Sequence, residues 1–226
     1  MKKIIVSNLS KSFGDFYALK NLSVEFQEGE KCVIYGSSGS GKSTLLYLMG
    51  GLDRPSSGEI VTFGKNLNQM NDSELALYRN EDIGFIFQFH FLLGTLTGLE
   101  NILLPAQINR RVNLAAVKEQ AMRFAQRLGV SEILHKLPTE MSGGQQQRIN
   151  IIRALSLNPK LLLCDEPTGN LDSKNSAIVI ELLNELADEL GTTLIIVTHD
   201  RGIASQFDRQ IEILDGGIGN QEIYSL

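Results

Sequence analysis

The feature that most constrains this chain is a glycine-rich stretch at residues 36–44, Gly-Ser-Ser-Gly-Ser-Gly-Lys-Ser-Thr. It fits the pattern G-x-x-x-x-G-K-[ST] and directly follows the apolar, strand-like run Lys31 to Tyr35. Glycines leave backbone N–H groups free to wrap an anion, Lys42 can reach the outer phosphates, and the Ser43 hydroxyl can hold Mg²⁺. The apolar run after Thr44 predicts a helix whose positive end faces the same phosphates. A nucleoside triphosphate site is therefore predicted between a strand and a helix.

Composition and charge narrow the possible partners and compartment. A chain of 226 residues with 42% hydrophobic content can build a sizeable core, as one large domain or one domain with an inserted lobe. The net charge of -5 provides no general attraction to nucleic acid or anionic lipid. Apolar stretches fall short of the roughly 20 residues that span a bilayer, and the N-terminal apolar run is too short for a signal peptide. We therefore expect a cytosolic chain, with Cys32 and Cys164 as reduced, buried thiols.

Strand-like segments open the chain and return near its end. Strands separated by helices imply a largely parallel α/β sheet, in which ligands lie at the carboxyl ends of the strands. The predicted strands are Ile4 to Val6, Leu22 to Phe26, Lys31 to Tyr35, Gly58 to Phe63, Ile83 to Phe87, Leu161 to Cys164 and Leu194 to Val197.

Helical periodicity dominates from about Leu92 to Leu157, which predicts a helical lobe inserted into the sheet domain. Local signals mark individual helices. These are a capping box of Asn71 and Glu74 for a short helix through Arg79, Asn113 and Gly129 as the start and stop of another, and an amphipathic helix from Ser176 to Leu190.

Two predicted strands run into polar residues that suit phosphate chemistry. Asp165 and Glu166 follow Leu161 to Cys164, where Asp165 suits a hold on Mg²⁺ and Glu166 suits polarising the attacking water. His199 follows Leu194 to Val197 and can hydrogen-bond the γ-phosphate or orient Glu166. Standing alone, such residues would indicate a solvated acidic turn and a surface histidine. The upstream phosphate loop favours the catalytic interpretation.

Two further positions flank the helical lobe. Gln88 follows the strand Ile83 to Phe87, and its neutral amide can touch Mg²⁺ or water while linking nucleotide state to the lobe. The segment Ser142-Gly143-Gly144-Gln145 predicts a second helix start with an anion-binding end. One phosphate loop already holds one triphosphate, so a second such end indicates a composite site. An ordinary serine-capped helix is the alternative.

Taken in order, these motifs resemble those of the ATP-binding-cassette (ABC) ATPases over nearly the whole chain. The motifs are residues 36–44, Gln88, residues 142–145, residues 161–166, Asn170-Leu171-Asp172 and His199. The resemblance implies an α/β P-loop NTPase core with a mostly parallel sheet, an N-terminal antiparallel β part and an inserted helical subdomain. It implies a single domain, with residues 1–91 and 158–226 as the ATP-binding core and about 92–157 as the helical signature subdomain.

The resemblance also implies a role for each matching position. Catalysis would fall to Glu166, His199, Gln88 and Lys42. ATP would be bound by Phe13, Gly36, Ser37, Ser38, Gly39, Ser40, Gly41, Lys42, Ser43, Thr44, Gln88, Ser142, Gly143, Gly144, Gln145 and Asp172, and Mg²⁺ by Ser43, Gln88 and Asp165. Phe13 stands where the family stacks an aromatic ring on adenine, with Tyr17 as a substitute and a core aromatic as the alternative.

Several short sequence segments resemble those of the LolD/MacB-type branch of the family. Members of this branch serve lipoprotein release and drug or peptide efflux. The matching segments are residues 50–53, residues 84–93, Leu99-Glu100-Asn101 and residues 165–172. The resemblance implies a homodimer around two Mg·ATP, with the signature acting in trans, that drives separate membrane permease subunits from the cytoplasmic side of the membrane. The lobe around Phe89 to Leu104 would dock on the permease through Phe91, Leu92, Leu93 and Leu96, or these residues pack within the lobe.

Two other functions remain open at this point. One is a regulatory cassette of the cell-division type that gates a periplasmic hydrolase without moving a substrate. The other is a soluble cassette acting on nucleic acid, which the acidic balance disfavours. No nucleic-acid partner is therefore expected.

Overall fold

The computed structural model describes residues 3–89, 91–109, 111–169 and 173–223, which form two β-sheets with helices around them. The strands are β1 Lys3–Phe13, β2 Phe16–Gln27, β3 Lys31–Tyr35, β4 Ser57–Thr62, β5 Lys65–Asn66, β6 Ile83–Ile86, β7 Leu161–Asp165, β8 Thr193–Thr198, β9 Arg209–Leu214 and β10 Gly217–Ile223. The helices are α1 Lys42–Met49, α2 Asp72–Glu81, α3 Gly98–Ile108, α4 Leu114–Arg127, α5 Gly143–Leu155, α6 Ser173–Leu190 and α7 Arg201–Ala204.

The first sheet is antiparallel and has the strand order β2-β1-β4-β5. The second has the order β10-β9-β3-β8-β7-β6, in which β9, β3, β8, β7 and β6 run parallel and β10 pairs antiparallel at the edge. Every residue of β7 and β8 is buried, as expected for parallel strands covered on both faces. The architecture confirms the predicted fold class.

Alternation along the central strands sends side chains into two separate cores. In β3, Val33 joins the core shared with helices α3 to α6, whereas Cys32 and Ile34 join the core between the two sheets. The same alternation holds in β7 and β8, because successive side chains point to opposite faces of a sheet. Both cysteines are free and buried, as predicted, and burial raises the pKa of both thiols.

Helices α3, α4 and α5 lie between β6 and β7 in the chain and pack on one another, as the helical periodicity predicted. The predicted caps are present: Asn71 forms a capping box with Glu74, and the Asn113 side chain accepts from two backbone N–H groups at the start of α4. Gly129 follows α4 with a φ of +66°. These local signals were sufficient because a cap depends only on the residues around one helix end.

Several boundaries differ from the sequence prediction. Strands β1 and β2 are much longer than predicted, because register shifts near Val6 and Leu9 interrupt the alternation that marks a strand. Helix α6 starts at Ser173 rather than Ser176. The C-terminal hairpin of β9 and β10 was not predicted, although its Asp215-Gly216 turn, with both φ angles positive, is a strong hairpin signal.

A buried acidic side chain between α2 and β6 provides a test of stability. The Asp82 carboxylate is 3% exposed and accepts from Lys160 Nζ at 2.6 Å and from Lys65 Nζ. Burial alone would raise the pKa of Asp82, but the bonds from the two lysines outweigh this effect and lower it.

We expect Asp82→Asn to lower the free energy of unfolding at pH 7 by about 1–2 kcal/mol, since it removes charge-assisted hydrogen bonds. Because the folded-state pKa is depressed, this stabilisation is present above the ordinary carboxyl pKa of 3.8 and is lost as the pH falls through the folded value. Urea unfolding at pH 7 and pH 3 should show the difference between parent and variant shrinking in acid. Asp188→Asn, which removes an exposed partner of Lys31, should change stability little.

Within the described ranges, no helix has the length and apolar character needed to cross a membrane.

Candidate functional site

The glycine-rich loop connects the end of β3 to the start of α1, as predicted. Lys42 is 6% exposed, and its Nζ donates to the carbonyl oxygens of Gly36 at 3.0 Å and Ser37 at 2.8 Å. Burial lowers the pKa of the Lys42 ammonium, and the nearby Glu166 and Asp165 carboxylates raise it in part. The ammonium therefore lies across the loop, beside the two carboxylates.

Gly41 shows why this loop needs glycine. Its φ is +105°, in the region that favours glycine, and an added Cβ would lie 2.3 Å from the Ala18 carbonyl oxygen. The C-terminal hairpin supports the loop from another side, since the Gly216 N–H donates to the Ser40 oxygen at 3.1 Å. The loop is thus clamped between β2 and the turn of β9 and β10.

Asp165, the last residue of β7, lies next to the start of α1 and accepts two hydrogen bonds from it. Its Oδ1 accepts from the Ser43 hydroxyl at 2.8 Å, and its Oδ2 accepts from the Tyr47 hydroxyl at 2.7 Å. Burial, followed by the bond to Asp165, raises the pKa of Tyr47 to about 12, so the phenol stays a protonated donor. A buried carboxylate beside a serine hydroxyl is the hard oxygen donor set that suits Mg²⁺.

Glu166 and His199 meet at the same edge of the sheet. Glu166 Oε1 lies 2.7 Å from His199 Nδ1 and accepts from the His199 backbone N–H at 3.0 Å. The Thr198 hydroxyl donates to Glu166 Oε2 at 3.2 Å. In the neutral ring, the tautomer with its proton on Nδ1 donates to the carboxylate and leaves Nε2 as an acceptor. The pair can therefore orient water and handle a proton.

Gln88 lies beside the turn that follows β7. Gly169, three residues after Glu166, is so close to the Gln88 amide that an added Cβ would lie 3.0 Å from Gln88 Nε2. The amide therefore packs against the turn that follows β7. The predicted site residue Asp172 lies outside the described residues.

Two cavities open at this edge. One, of about 250 Å³, is lined by Phe13, Phe16, Ala18 and five residues of the loop and α1, which are Gly39, Gly41, Lys42, Ser43 and Thr44. The other, of about 380 Å³, includes Glu166, His199, Gly169 and Thr198 in its wall.

Phe13 is 55% exposed, so the alternative of a core aromatic is wrong. Tyr17 is exposed but does not line the loop cavity.

The start of α5, the second predicted anion-binding site, is capped as predicted but lies outside these two cavities. Ser142 caps α5, its side chain accepting from the Gln145 N–H while Gln145 Oε1 accepts from the Ser142 N–H at 2.9 Å. Ser142 and Gly143 are exposed, and no residue from 142 to 145 lines either cavity described above. A single chain therefore brings together the loop, both carboxylates, Gln88 and His199, but not the serine-glycine helix start.

Comparison with known proteins decides the family. The model of the ABC transporter family matches residues 19–169, which contain the loop, the α5 start and both carboxylates. The chain belongs to the ABC transporter family. This cassette is 45% identical to the lipoprotein-releasing system ATP-binding protein LolD of Shewanella oneidensis, over 93% of each chain. It is 48% identical to LolD 1 of Chlorobium chlorochromatii, over 88% of this chain and 81% of the relative.

Solved structures agree with this assignment. The cassette matches the dimeric structure of MJ0796, a bacterial ABC transporter cassette, with a TM-score of 0.90, 37% identity and 99% of both chains covered. It also matches a dimeric post-hydrolysis state of MJ0796 bound to ADP and Pi, with a TM-score of 0.87 and 36% identity. This ABC cassette is accordingly an ATP-binding ATP hydrolase, and it is the ATPase subunit of a transport system.

Sequence reasoning missed three side chains of this ABC site. Tyr47 follows Ser43 by one helical turn, so the i, i+4 spacing was the signal that places both hydroxyls on one face. Thr198 ends β8 directly before His199, and no pattern in the sequence indicates its bond to Glu166. Phe16 pairs with Phe13 across the hairpin turn, a consequence of strand register that the sequence pattern did not reveal.

Proposed function

We propose that this ABC cassette dimerises around two Mg·ATP and drives a separate membrane permease for lipoprotein release. The observation that carries the proposal is the meeting of the loop, Asp165 and the Glu166–His199 pair at one sheet edge, while the α5 start lies outside that site. The names of the LolD relatives supply the transported class. Residues 1–91 and 158–226 serve as the ATP-binding core and residues 92–157 as the signature subdomain.

The loop and α1 hold the triphosphate. Residues 36–44 offer backbone N–H groups, the Lys42 ammonium neutralises the outer phosphates, and the positive end of α1 points at them. Phe13 stacks on the adenine. Phe16, its partner across the β1–β2 hairpin, lines the same cavity beside it.

Ser43 and Asp165 are the side chains that hold the metal, with Gln88 approaching from the turn side. Mg²⁺ supplies charge neutralisation for the β- and γ-phosphates when bound. The protein's own contribution is to keep both oxygens of Asp165 oriented, since each accepts a hydrogen bond from α1.

Glu166 orients the water that attacks the γ-phosphate and accepts its proton. His199 keeps Glu166 in place through Nδ1 and the backbone N–H, and its exposed ring is free to reach the γ-phosphate. Thr198 holds the second carboxylate oxygen. The water is thus activated by a carboxylate whose two oxygens are both fixed by hydrogen bonds.

The signature residues Ser142, Gly143, Gly144 and Gln145 complete the site on a second copy of the chain. This arrangement explains why a capped, exposed helix start lies outside its own chain's cavities. Asp172 belongs to the connection between the two sites.

Gly144→Asp should impair closure of the ATP-bound dimer without affecting the folding of the monomer. An added Cβ at Gly144 meets no atom within 4 Å, and an acidic residue in the first turn of α5 suits the helix dipole, so monomer stability should hold. Opposite the partner's γ-phosphate, the new carboxylate should lower ATP turnover by about tenfold or more through like-charge repulsion. ATPase assays and light scattering with ATP measure both effects.

Gly94→Asp is the matched control, because that glycine also has open space around it. It should leave the turnover and dimerisation of the isolated cassette unchanged. Normal dimer formation and turnover by Gly144→Asp would count against the trans arrangement.

Docking to the permease falls to the segment after Gln88. Phe89, Phe91 and Leu93 are 64%, 63% and 47% exposed, whereas Leu92 packs against the helical core. The exposed members form an apolar surface rather than packing within the lobe. Through it the cassette is held peripherally at the cytoplasmic face of the membrane, without a nucleic-acid partner.

Reconstitution with its membrane subunit in proteoliposomes tests the transported class. ATP should cause release of a fluorescently labelled lipoprotein from the vesicles to a soluble acceptor, and Glu166→Gln should abolish that release. Stimulated ATP turnover with no lipoprotein movement would contradict the transport role and favour the regulatory, cell-division type of cassette, which the names of the relatives do not favour.

A further inference from the structure

Tyr47 is placed to act on the metal-binding carboxylate. Its hydroxyl donates to Asp165 Oδ2 at 2.7 Å, while Ser43, one turn earlier on α1, donates to Oδ1 at 2.8 Å. The side chain of Asp165 is therefore held from α1 at both oxygens. Of these two donors, Ser43 belongs to the phosphate-binding motif and Tyr47 does not.

The Tyr47 ring also lies next to a series of aromatic side chains. Its centroid lies 6.2 Å from that of Phe87 at 55°, and the Phe91 ring lies 5.3 Å from Phe87, edge to face. Phe89 continues the series at 6.5 Å from Phe91. We call Tyr47, Phe87, Phe91 and Phe89 the aromatic series. Its contacts lead from the buried carboxylate to the exposed end of the segment that follows Gln88.

Two further contacts hold the inner members of the aromatic series, Phe87 and Phe91. Phe85 stacks on Phe87 at 5.3 Å and presses against the end of α1, where a Cβ on Gly50 would lie 1.9 Å from its ring. On the other side, Arg153 of α5 donates to the Phe91 carbonyl oxygen at 2.8 Å. A displacement of Phe87 or Phe91 is therefore opposed by α1 and by the helix that carries the signature residues.

Core packing does not explain the outer half of the aromatic series. Phe89 and Phe91 are each more than 60% exposed, and Phe91 adopts a φ of +46°, which is costly for a bulky residue. A strained backbone and two solvent-facing phenyl rings indicate that this end meets something outside the chain.

We propose that Tyr47 is a positioning residue that couples the orientation of Asp165 to the exposed end of the aromatic series, so that permease contact and metal–nucleotide binding influence one another. This inference rests on the proposed function and adds a route that does not pass through Gln88. Coupling of this kind is reciprocal: a change at either end shifts the other by the same free energy.

A fluorescent reporter can measure the coupling directly. The chain contains no tryptophan, so Phe89→Trp introduces a single indole at the exposed end of the aromatic series. Addition of Mg·ATP to this reporter chain should shift the tryptophan emission. Adding Tyr47→Phe, which keeps the ring but removes the bond to Asp165, should reduce the shift by at least half.

A metal titration supplies the second measurement. Tyr47→Phe should raise the Mg²⁺ concentration that half-saturates nucleotide binding by about three- to tenfold, which is less than the full worth of one hydrogen bond to a charged group because Ser43 still holds the other carboxylate oxygen. Affinity for ATP in EDTA should stay within about twofold, because the loop contacts are intact. Tyr78→Phe removes another tyrosine hydroxyl, one that donates to the Met49 carbonyl at 2.9 Å, and should change neither quantity.

An unchanged emission shift and an unchanged Mg²⁺ requirement in Tyr47→Phe would overturn the inference while leaving the proposed function standing. A loss of metal-free ATP affinity in Tyr47→Phe would also overturn it, since it would show a general structural role. A reporter chain that binds no nucleotide at all would refute the proposed function and, with it, the inference.

Discussion

Glu166→Gln is expected to abolish steady-state ATP hydrolysis while ATP binding persists. The glutamine amide can still accept from His199 through its oxygen, so the local geometry is retained, but it cannot take a proton from water. General-base catalysis contributes about 10²–10⁴-fold, and kcat should fall by about that factor. With turnover blocked, an ATP-bound dimer should accumulate and be visible by light scattering.

The control for this substitution is a partly buried carboxylate elsewhere in the same sheet. Glu212 of β9 is 15% exposed and lies 3.9 Å from Arg201, outside the cavity of Glu166 and His199. Glu212→Gln should leave kcat nearly unchanged. Full hydrolysis by Glu166→Gln would defeat the assignment of the catalytic base.

Lys42→Ala is expected to act one step earlier, on nucleotide binding. It removes the ammonium that spans the loop through Gly36 and Ser37 and that faces the phosphate cradle. Charge-assisted hydrogen bonds are worth about 1.5–3 kcal/mol each, so the loss of the bonds that this ammonium would make to two phosphates should weaken ATP affinity by about 100-fold or more. Isothermal titration calorimetry with ATP and Mg²⁺ measures this directly.

Lys31→Ala provides the comparison for that loss of charge. Lys31 lies at the start of β3 and pairs with the exposed Asp188, away from the loop. Its removal should leave ATP affinity within about twofold, since exposed ion pairs contribute little. Unchanged affinity in Lys42→Ala would contradict the placement of the phosphates.

The parts of this structure that sequence reasoning predicted are those governed by short-range chemistry. The β3–loop–α1 unit, the Asn71, Asn113 and Ser142 caps and the acidic end of β7 each depend on a few adjacent residues. These features can be predicted from the adjacent residues alone, because glycine geometry and capping hydrogen bonds are local.

Features that depend on register or on distant packing escaped prediction. The pairing of Phe13 with Phe16 follows from the hairpin register, and the Tyr47 bond to Asp165 joins residues more than a hundred positions apart. The Gly216 contact to the phosphate loop belongs to a strand pair whose place at the sheet edge no local pattern indicates. Pattern reasoning supplies elements, whereas these contacts arise only once the elements are assembled.

The central claim is that each active site is shared between two chains, and mixing two inactive variants tests it most directly. Lys42→Ala lacks a working loop but keeps its α5 start, and Gly144→Asp has the reverse defect. In a mixed dimer, one site combines the intact loop of one chain with the intact α5 start of the other. We predict that an equimolar mixture recovers up to about a quarter of parental ATP turnover, because about half the dimers are mixed and each has one intact site. A mixture no more active than the separate variants would contradict the shared site.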